Sequence, residues 1–208
     1  VFLFMLIFRA VSIEFRSKEP MRWWRRMWDV SYSVSSIMLA FLLGAVLGNV
    51  LLGVPLGENF EYKGNWLEFL NPYALMVGLT TVALFTMHGA IYLAMKTEGR
   101  LFSKVKQLLQ RAIIFFVICF SIMSLYTLLY IPHLSDDFKE SPALFIVPVL
   151  ALLSIANVPR LASKGKFGMA FVFSSLTVAL LLILVAIELY PVLVFSTIAE
   201  QYNLTVYN

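Results

Sequence analysis

Ionisable side chains are rare within the long apolar stretches of this 208-residue chain, so those that occur there are the first candidates for chemistry. Glu14 directly follows the first apolar stretch and stands near two cations, Arg16 and Lys18. Its carboxylate has two interpretations. It is either an interfacial group in an ion pair with Arg16 or Lys18, or an acid at the mouth of a proton path.

His88 lies inside a long apolar stretch. An imidazole at such a position can form a hydrogen bond between helices, relay protons or ligate haem iron. A bis-histidine haem needs a second histidine at membrane depth, and the only other one, His133, lies in an acidic segment. We expect an interhelical hydrogen bond, with proton relay and haem ligation as the alternatives.

Two further polar positions lie in or beside apolar stretches. Glu188 is one turn before the end of the last stretch, where a carboxylate either reaches interfacial water or serves as a proton exit. Asn49 is expected to form hydrogen bonds between helices, as polar side chains in membranes commonly do. The same role is predicted for a cluster of hydroxyl groups at Ser174, Ser175 and Thr177.

Several classes of active site have no signature in this sequence. It contains no Gly-rich phosphate loop, HExxH, CxxC or plausible Ser/His/Asp set. Cys119 is the only cysteine, so the chain alone forms neither a disulfide nor a thiolate metal cluster. We therefore predict no catalytic residue, no metal site and no cofactor bound by this chain.

The distribution of charge indicates which elements position these groups. Fourteen of the sixteen Lys and Arg residues fall in the segments 9–29, 96–111 and 159–167, which alternate with the basic-poor segments 54–70, 132–141 and the tail after 191. This alternation is the positive-inside pattern of a multi-pass membrane protein. The apolar share of 61% and charged share of 13% agree, since soluble domains average about 45–50% and about 25%. The pattern predicts an all-α polytopic membrane protein in a lipid bilayer, with cytoplasmic basic loops and no nucleic-acid partner.

Six membrane helices are predicted, because lipid cannot satisfy exposed backbone polar groups. Their approximate bounds are Val1–Ile13, Val30–Gly53, Pro72–Met95, Ala112–Ile131, Pro142–Val158 and Phe167–Tyr190. The first is too short to cross ~30 Å of hydrocarbon, which takes about 20 residues. The chain also opens without an initiator Met. We expect a truncated first helix and a single transmembrane domain over 1–208 that is a fragment of a longer chain.

Capping residues and prolines mark the expected boundaries. Asp29 is predicted to N-cap the second helix, and Asn71-Pro72 and Ser141-Pro142 the third and fifth. Pro148 is expected to kink the fifth helix. The prolines expected to end helices are Pro55, Pro132, Pro159 and Pro191.

Two local patterns predict how the second helix is placed. Gly44 and Gly48 form a GxxxG motif, which predicts close packing on another helix. Trp23, Trp24 and Trp28 lie among arginines, which is typical of an aromatic belt at the membrane surface.

Short strings along the whole chain, in their order and spacing, resemble subunit II of the cytochrome bd-type quinol oxidase family. They are FRAV at 8–11, EFRSK at 14–18, WD at 28–29, GNVLLGVP at 48–55, NPYAL at 71–75 with a glycine at 78, HGA at 88–90, YL at 92–93, KT at 96–97, AFVFSSLT at 170–177 and LTVYN at 204–208.

The resemblance implies a subunit of about nine helices in the bacterial inner membrane, of which this chain holds the third to the eighth. It implies a heterodimer with subunit I, which carries haem b and haem d, and small accessory subunits are further candidate partners. The complex oxidises quinol and reduces oxygen to water with protons from the cytoplasm. Subunit II carries no haem and contributes to proton and oxygen access. Among the acids of the family's proton route, one matches Glu14.

The alternative from another class is a secondary transporter or permease. That class predicts a polar site at the membrane midplane, formed by broken helices arranged in repeats. Pro148 is the only break expected here, and the predicted midplane lacks a charged pair.

Overall fold

The structure is a computed structural model that describes residues 1–131 and 142–207. Its α-helices are α1 (Phe2–Arg16), α2 (Arg22–Leu52), α3 (Pro72–Lys96), α4 (Gly99–Tyr130), α5 (Ile146–Ser163) and α6 (Phe167–Leu189). Short 3-10 segments cover Trp66–Leu70, Pro142–Phe145 and Glu200–Tyr202, and a small antiparallel ribbon pairs β1 (Val192–Val194) with β2 (Leu204–Thr205). The predicted helical membrane architecture is confirmed, with six α-helices in the described part of the chain.

Five helical stretches are long and apolar enough to cross a membrane. They are Arg22–Leu52, Pro72–Lys96, Gly99–Tyr130, Ala143–Ser163 and Phe167–Leu189. In contrast, α1 has 15 residues, which at 1.5 Å per residue is about 22 Å. It is therefore shorter than the hydrocarbon layer, as the sequence predicted for the first helix.

Both α2 and α4 begin well before their predicted starts at Val30 and Ala112. Residues 22–29 and 99–111 contain no proline, and Lys and Arg are good helix formers, so these helices continue out of the apolar layer. Asp29 consequently lies inside α2. The prediction that it caps this helix is wrong, because the N-cap position is Met21, which makes no side-chain capping bond.

Pro159 does not end α5, which continues to Ser163. Val158 and Ala162, on either side of this proline, are both buried in the helical core. The packing of that face favours continuation of the helix through Pro159 at the loss of one backbone hydrogen bond. The predicted boundary at Pro159 is therefore wrong.

The remaining boundary residues had different outcomes. Pro148, predicted to kink the fifth helix, is the third residue of α5, directly after the 3-10 segment Pro142–Phe145, where a missing N–H costs little. Asn71 caps α3 as predicted, with its side-chain oxygen accepting the Ala74 N–H at 2.7 Å. Pro132 and Ser141 lie outside the described residues.

Helix α3 is central, because it packs against α2, α4 and α6, while α1 lies on α2 and α5 on α6. Gly44 and Gly48 form the close contact between α2 and α3. A Cβ added at Gly48 would lie 2.8 Å from the Cα of Ala74 on α3. The close packing predicted from the GxxxG motif is confirmed.

Contacts between distant segments show which ends of the helices share a surface. The Ser196 hydroxyl, in the tail, donates to the Leu56 carbonyl at 2.9 Å, so the tail covers the α2–α3 connection. At the opposite end, Phe102 and Phe167 form an edge contact with ring centroids 5.5 Å apart, which joins the beginnings of α4 and α6. The two contacts agree with the alternate threading predicted from the charges.

Candidate functional site

An ion pair joins α1 to α2 at the basic end of the helices. Arg16 donates from Nε and Nη2 to the two carboxylate oxygens of Asp29, the second bond being 3.4 Å long. Hydrogen bonding to Asp29 and the attraction of its charge raise the pKa of the Arg16 guanidinium above its ordinary value. Arg16 therefore stays charged, and its side chain is directed towards α2.

Two further polar contacts continue along the same α1–α2 interface. The hydroxyls of Ser12 and Ser31 lie 3.1 Å apart, and Ser12 is almost fully buried. Arg9 Nη2 donates to the Tyr32 hydroxyl at 3.3 Å, and its guanidinium lies 5.3 Å from the Tyr32 ring centroid. Arg9 is seven residues before Arg16, or about 10 Å further along the helix. The interface is thus polar from the basic surface to a depth of about two turns.

Glu14 is exposed in the last turn of α1. Arg16 is two residues away on the helix, and residues with that spacing do not face each other. Lys18 lies beyond the end of α1, after the C-cap Ser17. Neither of the expected cations forms an ion pair with Glu14 within the described residues, and Arg16 pairs with Asp29 instead.

His88 is half-buried on α3 and contacts α6. Its Nδ1 lies 2.9 Å from the Ser174 hydroxyl, and its ring stacks on Phe171 with centroids 4.8 Å apart. The Ser174 hydroxyl donates its single proton to the Phe171 carbonyl at 2.9 Å. With the hydroxyl proton on that carbonyl, the Ser174 oxygen accepts from Nδ1–H of His88, and in the other tautomer of His88 the hydroxyl donates to Nδ1 instead. His133 lies outside the described residues.

Asn49 closes the junction between the end of α2 and the start of α3. Its side chain is 6% exposed, and its amide nitrogen donates to the carbonyls of Ala45 at 2.8 Å and Phe69 at 2.9 Å. Its side-chain oxygen accepts from the Asn71 amide at 2.8 Å. Every polar atom of the Asn49 side chain is therefore paired, which is what burial requires.

A cleft of about 250 Å³ opens beside this asparagine pair, at the basic-poor end of the helices. Tyr62 and Glu68 contribute polar groups to its lining, and the Tyr62 hydroxyl donates to the Asn65 carbonyl at 2.8 Å. Desolvation raises the pKa of the Tyr62 phenol, and the negative charge of Glu68 adds to the shift. The cleft therefore presents a neutral phenol and a carboxylate to the water outside.

Glu188 is half-buried in the last turn of α6. Its carboxylate interacts electrostatically with Tyr73 of α3, which is 3% exposed. The Tyr73 hydroxyl lies 3.3 Å from Oγ1 of Thr127 on α4. Glu188 thus belongs to a junction of three helices, at the end of the bundle opposite to Glu14.

The structure does not bring the four sequence-predicted residues into one site. Glu14 lies at the basic end, His88 is within the α3–α6 contact, and Asn49 and Glu188 are at the basic-poor end. Within residues 1–131 and 142–207, no group of three or more His, Cys, Asp or Glu side chains is arranged to hold a metal ion. Sequence reasoning missed the Arg16–Asp29 pair and the Asn71 partner of Asn49. The Asn71–Asn49 contact could have been predicted, because an Asn whose side-chain oxygen caps a helix still has an amide group that can donate to another residue.

Comparison with known proteins shows the family. The sequence profile described as "Cytochrome bd terminal oxidase subunit II" matches residues 1–208. The chain is 28% identical over 233 residues to "Cytochrome bd-I ubiquinol oxidase subunit 2" of Escherichia coli strain K12, covering 98% of this chain and 62% of that protein. It is 25% identical to "Cytochrome bd ubiquinol oxidase subunit 2" of Bacillus subtilis strain 168, covering 100% of this chain and 61% of that protein.

A third relative, "Probable cytochrome oxidase subunit 2" of Haemophilus influenzae, is 27% identical over 98% of this chain and 61% of its own length. The chain thus spans about three fifths of the length of the curated relatives that it matches. Because the family profile covers every described helix, the chain belongs to the cytochrome bd terminal oxidase subunit II family.

Proposed function

We propose that this chain works within a bacterial cytochrome bd-type quinol oxidase as the subunit that carries no haem. It packs against the haem-bearing subunit I in the inner membrane, with the basic loops 9–29, 96–111 and 159–167 in the cytoplasm. The observation that carries the proposal is the family match over residues 1–208, together with relatives named as subunits of ubiquinol oxidases. Haem b and haem d of the partner supply the electron transfer from quinol to oxygen. The same match favours the oxidase over the secondary transporter.

The surface of the helices suits a membrane-embedded partner of a redox subunit. Large apolar side chains point outward along α4, α5 and α6, for example Leu125, Leu152 and Leu182, each more than half exposed. In the membrane these faces lie against lipid or against subunit I, because water would make such exposure costly. All the helices are joined through α3 and its neighbours, which supports a single transmembrane domain over residues 1–208.

Glu14 is the residue that we propose for proton uptake from the cytoplasm. Oxygen reduction to water consumes protons, so the complex needs acids at its cytoplasmic surface. Glu14 stands at the basic end of α1, and Arg16 is held by Asp29 on the neighbouring helix. The Glu14 carboxylate is therefore available to gain and release a proton. Among the weaker candidates, Glu188, at the opposite end and beside Tyr73, is proposed for proton exit and His88 for proton relay, whereas Asn49 is assigned only hydrogen bonds between helices.

Purification of the full-length protein from its native membrane tests the assignment to an oxidase. We expect a second polytopic chain to co-purify and the complex to absorb visible light through its haems. Quinol-dependent oxygen consumption should accompany the same fractions. A colourless and stable monomer, with no second membrane chain, would contradict the proposal and favour a transporter.

Replacement of Glu14 tests the proton role separately. We expect Glu14→Gln to slow oxygen consumption with excess quinol, most strongly at high pH, where protons are scarce. Glu19→Gln is the matched control, because Glu19 is also exposed and lies in the turn after α1. If Glu14→Gln and Glu19→Gln both keep the wild-type rate at every pH, Glu14 is only an interfacial carboxylate.

A further inference from the structure

The first two turns of α2 extend beyond the apolar layer. From position 30 to position 52 this helix has no Asp, Glu, Lys or Arg, and these 23 residues span about 34 Å, enough to cross the hydrocarbon. The preceding residues, 22–29, are helical as well. They therefore stand at the depth of the lipid headgroups on the basic side of the membrane.

Three arginines share one side of this extension. Arg25 and Arg26 follow Arg22 by three and four residues, which places both next to Arg22 on the helix surface. All three side chains are exposed. Asp29 is the acid on the same side, but Arg16 of α1 occupies it. None of the three arginines has a carboxylate within 4 Å in the part of the chain that the structure describes. Because the three positive charges repel one another, an anion from outside the chain would stabilise them.

Aromatic side chains fix the extension and add an apolar surface beside the arginines. The Trp24 indole N–H donates to the Phe15 carbonyl at 2.8 Å, and Trp24 and Trp28 pack edge to face with centroids 5.7 Å apart. On the next face, Trp23 is 60% exposed and Met27 is 43% exposed. A ligand here meets the three cations at the headgroup level, with Trp23 beside them and Met27 on the side nearer to the hydrocarbon.

We propose that Arg22, Arg25 and Arg26 bind the headgroup of an anionic phospholipid, with Trp23 beside the headgroup and the acyl chains leading past Met27 into the hydrocarbon. Planar guanidinium groups match phosphate oxygens in pairs, and tryptophan favours the membrane interface. Met27 and the apolar part of α2 that follows it favour a lipid over a free phosphate, because only the lipid has a tail to place there. This inference does not depend on the oxidase function, since it uses only the geometry of α1 and α2.

The test uses the full complex, purified and delipidated in detergent, with bound lipids counted by native mass spectrometry. We expect tight binding of phosphatidylglycerol, and little of phosphatidylcholine or glycerol 3-phosphate at the same concentration. Changing Arg22, Arg25 and Arg26 together to Gln should weaken phosphatidylglycerol binding on the order of a hundredfold, from roughly fivefold for each cation near an anionic surface. The matched control changes Arg100, Lys104 and Lys106 to Gln, which removes the same charge from the beginning of α4, and should keep the tight site.

Four results would overturn the proposal. They are equal binding of phosphatidylcholine, equally tight binding of glycerol 3-phosphate, wild-type affinity in the triple variant, or an equal loss in the control. If the triple variant does not assemble, Arg26→Gln alone is measured against Arg100→Gln. The first should weaken binding roughly fivefold and the second should not, whereas equal effects would show that the attraction is diffuse.

Discussion

Gly44→Ala is expected to force α2 and α3 apart at their closest approach. A Cβ at position 44 would lie 2.8 Å from the Cα of Gly78 and 2.7 Å from the Cβ of Thr81, whereas ordinary contact begins at 3.4 Å. Neither the Gly78 backbone nor the Cβ of Thr81 can rotate away, so the helices must separate locally by about 0.7 Å. Overpacking of this kind costs about 1–3 kcal/mol.

The effect should extend to the end of the hairpin. Gly48 lies one turn further along α2, and the 2.8 Å bond between Asn49 and Asn71 requires the same short separation. The measurement is the stability of the purified protein to heat or to a denaturing detergent. We expect Gly44→Ala to unfold under clearly milder conditions than the wild type.

Gly89→Ala is the matched control, because Gly89 lies in α3 and an added Cβ meets no atom of the described residues within 4 Å. In a helix interior this exchange gains roughly 0.5–1 kcal/mol, since glycine has the greater conformational freedom when unfolded. The two alanines should therefore shift stability in opposite directions. Equal stability of Gly44→Ala and Gly89→Ala would refute the close packing of α2 on α3 as the reason for the glycine.

Three further predictions concern single contacts and the threading. Asn71→Asp keeps the oxygen that caps α3 but loses the amide that donates to Asn49. It should therefore lower the free energy of unfolding by about 1–3 kcal/mol. Asn65→Asp, in the exposed loop, is the control and should not lower it. Ser174→Ala should cost roughly 0.6–1.7 kcal/mol through the lost His88 bond, and Ser175→Ala, whose described bond is to its own helix, should cost less. Single cysteines placed at positions 25, 104 and 63 test the threading, and the native Cys119 is buried and should not react with an impermeant maleimide. The cysteines at 25 and 104 should react from one side of the membrane, and the cysteine at 63 from the other.

The sequence could predict the number and order of the helices, because charge and apolar length act along the chain itself. It could also predict the cap at Asn71, since an N-cap bond joins residues three positions apart. Helix ends in the basic segments were less predictable. The starts at Arg22 and Gly99 lie in basic segments, where Lys and Arg are good helix formers and continue the helix beyond its apolar part.

Contacts between distant residues could not be predicted from local patterns. Asp29 has the signature of a helix cap, and its actual partner, Arg16, comes from the other arm of a helical hairpin. The partner of His88 is 86 residues away, on α6. In both cases the sequence indicated a polar group in need of a partner, and only the packing of the helices decided which partner it received.

Competition between two acids for one arginine links the α1–α2 packing to the proposed function. Glu14 is nearer to Arg16 in sequence, but the helix turns about 200° over two residues, so the two side chains leave α1 on different sides. Asp29 lies on the side where α2 packs, and it receives both donors of the guanidinium. The packing that fixes the helical hairpin thereby leaves the Glu14 carboxylate exposed at the basic surface. An acid that takes up protons has to change its charge during turnover, and an ion pair with Arg16 would have opposed that change.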